Sequence, residues 1–466
     1  MPAAAIAKHR PFSPRLCLSV SQRMSNSEFS AWRFGTAGLV GGVLVACSLA
    51  FIPDPVQAKA VAIAALCLVL WLMEAVPSFV PSLLLLALIP ICLEAPTYRL
   101  SSVMGWMADP VLLLFMGGFS LGVAAQHYGI DAAISGLAIS WSGGHHLRLL
   151  ALVMLSTATL SMWMSNTAAA AMMIAALRPL FVASGQYHQM RVVLLLGIAI
   201  AANLGGMATP IGSPPNAIAV ATLTGEQHVT LLGWMMFGLP IMLVLLAIAF
   251  VVLMIFHRVG SGVYLPSVPT AAVGMKSFRA WMVVVIFSSM VLAWLSEPLH
   301  GLNVSLVAVG GTVILFGSGL LSPKDLQRID WGTLILIAGG LGLGRLLQES
   351  GAIMAMTSAI DWSSIPGGMR IAILIFLGAM MSAVMSNTAT ATMIIPLAYA
   401  IDPSPSTPIL VALGTSLGMP FMISTPPNAL VYGEGGIRMR DLLWPGLIIM
   451  LVGCLLLSLI EPLVRG

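Results

Sequence analysis

Met164-Ser-Asn-Thr-Ala-Ala-Ala-Ala-Met172 and Met385-Ser-Asn-Thr-Ala-Thr-Ala-Thr-Met393 are two versions of one segment, each set inside a long apolar stretch. A proline pair follows each: Ser213-Pro-Pro-Asn-Ala217 after the first, Thr425-Pro-Pro-Asn-Ala429 after the second. Polar and helix-breaking residues are costly in hydrocarbon, so two matched sets of them point to a paired internal site rather than to packing.

The surrounding composition says which solvent the chain faces. Hydrophobic residues make up 59% of 466 residues and charged residues 8%, with a mean hydropathy of +1.01. Soluble domains carry about 25% charged residues. The expectation is an all-α polytopic membrane protein forming one integral domain. The net charge of +4 is scattered over short loops and is no nucleic-acid footprint. Five cysteines (Cys17, Cys47, Cys67, Cys92, Cys454) show no CxxC spacing and mostly sit in apolar runs, so they read as packing residues.

Apolar segments bounded by charge or by Pro/Gly clusters predict eleven crossings, near 36–52, 58–76, 80–94, 109–128, 191–221, 231–256, 281–297, 301–320, 331–348, 407–432 and 441–462. The stretches 147–183 and 369–401 carry the Ser-Asn-Thr motifs near their midpoints and have the length of two half-height helices. Each is predicted as a re-entrant hairpin with the tripeptide at its turn. Residues 1–35 hold five basic residues against Glu28 and are read as a cytoplasmic tail, with a transit peptide or an upstream-start extension before Met24 as alternatives. With the N-terminus inside, fifteen Lys and Arg fall on the cytoplasmic side. Only Lys59, Arg99, Arg345, Arg370 and Arg465 fall outside, as the positive-inside rule requires. A bacterial inner or plasma membrane is expected, an organellar membrane being the alternative.

The repeat extends beyond the tripeptides. Asp109 opens a span containing Gly117, Gly118, Gly122 and Gly129; Asp330 opens one containing Gly339, Gly340, Gly344 and Gly351. The predicted units are 58–256 and 281–462, each with five crossings and one hairpin. Five is odd, so the second copy must be inverted, which is the architecture of secondary transporters.

At each tip Ser and Thr offer hydroxyls, Asn offers a carbonyl oxygen and an amide, and the broken backbone exposes carbonyls and N–H groups. Oxygens suit a hard cation; hydroxyls, amides and helix N-termini suit a carboxylate or oxyanion. No Lys, Arg, Asp or Glu lies within ten residues of either tripeptide. A bound anion there would have co-bound cations as its natural counter-charge, so the pattern favours cation-coupled transport of an anion. The segments 203–216 and 418–428 cannot be continuous helices, because their prolines remove donors and clash with the preceding turn. HExxH does not occur, and no enzyme is expected. His145-His146, Asp54, Asp131, Asp361 and Glu226 read as loop residues.

The paired Ser-Asn-Thr hairpins and Pro-Pro-Asn breaks resemble the divalent anion:sodium symporter family, over about residues 36–466. The resemblance implies transport of dicarboxylates or citrate with Na+ as co-transported ion and no organic cofactor. It also implies a homodimer whose transport domain slides like an elevator. One sodium site would take Ser161, Ser165, Asn166 and the backbone near Gly212. The other would take Ser382, Ser386, Asn387 and the backbone near Ser424, where this chain carries an added hydroxyl. Asn166, Thr167, Ser386, Asn387, Thr388, Thr425 and Pro426 would contact substrate. Sulfate or another inorganic oxyanion is the alternative cargo, and exchange without net sodium movement the alternative mode; the short connection 257–280 favours carboxylates.

Overall fold

The computed structural model describes residues 20–183, 188–223, 225–258, 277–358, 360–422 and 424–465, and their regular structure is helical throughout. Helix α1 (Val20–Phe51) leads into α2 (Pro55–Leu72) and α3 (Val80–Cys92). Then come α4 (Leu100–Met107), α5 (Val111–His127) and α6 (Ile130–Trp141). The first tripeptide joins α7 (His146–Ser161) to α8 (Asn166–Ala183), and α9 (His188–Gly205), α10 (Pro214–Thr222) and α11 (Leu231–His257) follow. A second run contains α12 (Phe278–Leu295), α13 (Glu297–His300), α14 (Val304–Gly317), α15 (Trp331–Glu349) and α16 (Ala352–Ser358). The second tripeptide joins α17 (Gly367–Val384) to α18 (Asn387–Ile401), and α19 (Ser406–Ser416), α20 (Pro426–Gly433) and α21 (Met439–Arg465) end the chain's described part. The order of elements and breaks from α5 to α11 recurs from α15 to α21.

Packing between the two runs is reciprocal. Helix α10 lies against α18 and α19, and α20 against α8 and α9; α5 packs on α14, and α15 on α3. The glycines that marked the repeat make these approaches possible. A Cβ on Gly117 would fall 2.6 Å from the Cβ of Ala308 on α14, and one on Gly339 would strike Ser82 on α3. Gly205 and Gly418 act alike at the broken helices: a Cβ on either would fall 2.5 Å from the backbone of Ala158 or Ser382. Backbones this close leave no room for side chains, as in small-residue helix interfaces within membranes. The largest buried cluster draws on both broken-helix sets, with residues such as Leu150, Leu195 and Leu245 packed with Ile375, Leu413 and Leu457.

Among the described residues seven helices are long and apolar enough to cross a membrane, or eight if α4 and α5, bent by 49°, form one span. The differences from the predicted eleven have local causes. Spans 191–221 and 407–432 are each split by the proline breaks, and α3 and α14 have 13 and 14 residues, well below the ~20 of a full crossing. Helix α17 is by itself long and apolar enough to cross, although it was predicted as half of a hairpin. Helix α1 begins at Val20, so the expected boundary at residue 36 falls inside a helix; residues 1–19 lie outside the described residues, as does most of the 257–280 connection.

Several residues read as loops are placed otherwise. Asp131 lies in α6, Glu226 in a short 3-10 turn (Gly225–Gln227), and His146 is buried at the start of α7 rather than solvated. Asp54 caps α2 and Asp361 caps a 3-10 turn, as polar loop residues commonly do. Cys67 and Cys454 are buried, and no disulfide forms among the described cysteines. The lead-in to α15 is tied to the end of α5 by Asp325, which accepts from Ser322 N (2.8 Å) and Ser322 Oγ (2.7 Å) and pairs with His127 Nδ1 (3.2 Å). The Ser322 backbone and hydroxyl bonds, followed by His127, hold its carboxyl at about 2, below the ordinary 3.8.

Candidate functional site

Both tripeptides stop a helix and start another. Ser165 Oγ accepts from Ala168 N (3.3 Å) and Ser386 Oγ accepts from Ala389 N (3.2 Å), so each serine caps the helix that follows it. Both proline pairs sit at the first positions of α10 and α20, where missing N–H groups cost nothing. These four starts meet. One cavity of about 380 Å³ is lined by Ser165, Asn166 and Thr167 at the start of α8, and by Gly212, Ser213 and Pro214 at the start of α10. Ser386, Asn387 and Thr388 contribute from α18, and Thr425, Pro426 and Pro427 from α20. Each helix N-terminus carries about half a positive charge and attracts an anion by ~0.3–1 kcal/mol, more when desolvated. Four of them make an anion-attracting wall without any cationic side chain.

Behind the first tip lies a cluster of oxygens. Ser161 Oγ donates to Ala202 O at 2.6 Å and lies 2.7 Å from the Asn166 amide; Gly212 O closes the group. With Asn166 Oδ1 turned inward, carbonyl, amide and hydroxyl oxygens face one another, an arrangement favourable only around a cation. With the amide rotated by half a turn, Nδ2 donates to Gly212 O (3.0 Å), Ala202 O (3.2 Å) and Ser161 Oγ (2.7 Å). The side chain thus has one orientation suited to a cation and one that satisfies the carbonyls without it. At the second tip Ser382 Oγ donates to Asn387 Oδ1 at 2.7 Å, the same contact at the same spacing. Ser424 Oγ donates to Phe421 O (2.7 Å), so the hydroxyl noted in the sequence ties down the unwound segment.

The unwound carbonyls are held by the asparagine after each proline pair. Asn216 Nδ2 donates to Gly206 O (2.8 Å) and Thr209 O (2.7 Å). Asn428 Nδ2 donates to Met419 O (3.1 Å) and Phe421 O (2.9 Å). Both asparagines are fully buried. Buried backbone without helix partners is tolerated only when satisfied in this way.

Of the residues expected to act, Ser165, Asn166, Thr167, Gly212, Ser386, Asn387, Thr388, Thr425 and Pro426 line the shared cavity. Ser161, Ser382 and Ser424 lie behind it, buried. Other lining residues were not read as part of a site, Asn203, Glu74, Asp330 and Phe119 among them. Asn203 was seen only as the start of a broken segment. Glu74 and Asp330 put carboxylates at the exposed mouth, and Phe119 supplies an apolar wall. Nothing local in the sequence announces a mouth formed by residues 256 positions apart. No group of three His, Cys, Asp or Glu that could hold a metal ion occurs among the described residues.

A family model described as citrate transporter matches residues 68–415. An uncharacterized transporter of Haemophilus influenzae is 32% identical over 428 residues, covering 86% of this chain and 90% of that protein. The inorganic phosphate transporter PHO87 of Saccharomyces cerevisiae is 27% identical over 425 residues, 85% of this chain and 45% of that protein. The sodium-dependent dicarboxylate transporter SdcS of Staphylococcus aureus is 29% identical over 492 residues, 93% of each chain. Among solved structures, the YdaH transporter of Alcanivorax borkumensis superposes with a TM-score of 0.55 at 16% identity, covering 83% of this chain and 98% of that one. This chain belongs to the citrate transporter family.

Proposed function

We propose that this transporter carries dicarboxylates such as succinate, malate, fumarate or oxoglutarate across a membrane together with sodium. The observation that carries the reading is the convergence of both tripeptide tips and both proline breaks on one cavity. Two repeat-related tips offer one anchor to each end of a two-ended anion, and each tip has its own Ser–Asn oxygen pair for a cation. The name of the Staphylococcus aureus relative supports both the cargo and the ion.

In this reading Ser161, Ser165, Asn166 and the Gly212 carbonyl ligate one sodium ion, and Ser382, Ser386, Asn387 and the backbone at Ser424 ligate another. Asn166, Thr167, Asn387, Thr388, Thr425 and the start of α20 hold the carboxylates. Helix α7 to α11 and α17 to α21 form the moving unit of an elevator. The repeats are inverted over 58–256 and 281–462, the tips are re-entrant, the N-terminus is cytoplasmic, and the working unit is a homodimer. An inorganic oxyanion is the second reading, favoured by the resemblance to a phosphate transporter.

Uptake of radiolabelled succinate, citrate, phosphate and sulfate into proteoliposomes, with and without an inward sodium gradient, tests the proposal. Saturable, sodium-driven uptake of succinate is expected. Phosphate or sulfate uptake without succinate uptake would favour the second reading, and succinate uptake indifferent to sodium would remove the coupling.

A further inference from the structure

One buried side chain joins the two halves of the site. Asn203, on α9 of the first run and only 1% exposed, reaches across to the second run. Its Nδ2 donates to Thr425 Oγ1 and to Asn428 Oδ1, both at 3.1 Å. The direction of these bonds is fixed from behind. Asn428 spends its own N–H groups on the Met419 and Phe421 carbonyls, so its Oδ1 must accept. Asn203 therefore presents nitrogen, not oxygen, to this side, and its Oδ1 is left buried without a donor. An orphaned buried oxygen is unfavourable, which makes the pinned orientation notable.

The consequence falls on Thr425. A hydroxyl has one hydrogen to give and two lone pairs to receive. The Asn203 N–H fills one lone pair, and an N–H cannot accept the hydroxyl's hydrogen. Thr425 lines the cavity beside Pro426. We infer that Asn203 is a positioning residue that turns the Thr425 O–H into the cavity as a donor to a substrate carboxylate. This rests on the reading of the cavity as a dicarboxylate site.

The second run shows what the position looks like without this task. The second break is one residue shorter, and aligning Asn203-Leu-Gly205 with Ser416-Leu-Gly418 makes Ser416 the counterpart of Asn203. Ser416 Oγ merely donates to Ala412 O on its own helix, at 3.3 Å. The bridge runs one way only. It also starts next to the first oxygen cluster, because Ala202, whose carbonyl accepts from Ser161, is the preceding residue.

Asn203→Thr is the test, since it removes the amide that donates to Thr425 and keeps a small polar side chain. Succinate uptake under saturating sodium is measured for the wild type, Asn203→Thr, Thr425→Val and the double variant. Each single variant is expected to raise KM about tenfold with kcat changed less than twofold, and the double variant to match Thr425→Val alone. Residues acting through one shared group are non-additive in this way. Asn203→Asp is the second variant, used also if Asn203→Thr elutes as misfolded protein. Its carboxylate would accept the Thr425 hydrogen, and KM is expected to rise more than tenfold. Effects that multiply to about a hundredfold in the double variant, or a wild-type KM in either Asn203 variant, would overturn the inference while leaving the transport reading intact. Wild-type protein that takes up no dicarboxylate would overturn both.

Discussion

Replacing Asn166 separates the two tasks assigned to the first tip. In Asn166→Ala the oxygen facing Ser161 Oγ, Ala202 O and Gly212 O is lost, and with it the side chain that lines the cavity. A hydrogen-bond-scale contact to a charged partner is worth about 1.5–3 kcal/mol, which corresponds to roughly ten- to hundredfold weaker binding. Sodium half-saturation and succinate KM should both rise by that factor. Asn166→Asp keeps an oxygen toward the cation cluster but removes the amide and adds a negative charge beside the anion. Sodium binding should then persist or tighten, while succinate binding falls. Proteoliposome uptake across a matrix of sodium and succinate concentrations measures both constants, with melting temperature in detergent as the check on folding. A folded Asn166→Ala protein with wild-type constants would refute the assignment. So would an Asn166→Asp protein in which both affinities drop together.

Other expectations follow from separate parts of the molecule. Since the proposal puts one tip at each end of the ligand, unlabelled malate or fumarate should displace succinate whereas acetate should not; equal competition by acetate would mean that a single tip does the binding. Gly117→Val should overpack α5 against Ala308 and cost about 1–3 kcal/mol, read as a lower melting temperature; an unchanged value would contradict the close approach. Asp325 titrates at about 2 in the fold against 3.8 ordinarily, so its contribution, about 2 kcal/mol, is complete above pH ~4. That stability should disappear as pH falls toward 2, and Asp325→Asn should remove this acid-dependent part of the melting curve.

The breaks were legible because proline and the repeated tripeptide are strong local signals that need no tertiary knowledge. The half-helices begin at Pro214 and Pro426, within the segments read as unable to continue. Helices α4, α6 and α16 were not foreseen: at 8, 12 and 7 residues they are too short for a span, so a search for membrane-length runs passes over them. The cavity residues at the tips were readable from their chemistry. Asn203, Glu74 and Asp330 were not, since what makes each one part of the site is a neighbour hundreds of residues away or in the other repeat. Asp330 was noticed only as a mark of duplication, and Ser424 as a variation whose bond to Phe421 no sequence pattern discloses.

Segments 161–171, 203–216, 382–393 and 416–428 contain no ionisable side chain, and the carboxylates of the mouth belong to other elements. The formal charge of the enclosing segments is therefore zero, and only the partial charges of the four helix starts act on their contents. A doubly charged anion held there alone would bear a self-energy of order tens of kcal/mol in the unrelaxed low-dielectric limit, which the helix starts offset only in part. Two monovalent cations beside it cancel the monopole, and the vacant form has none to cancel. On the proposed sodium-coupled reading, such walls would let the carrier reorient fully laden or vacant and would oppose reorientation of any half-laden form. Leak would then be suppressed by the self-energy of incomplete cargo, with no latch or dedicated gate residue needed.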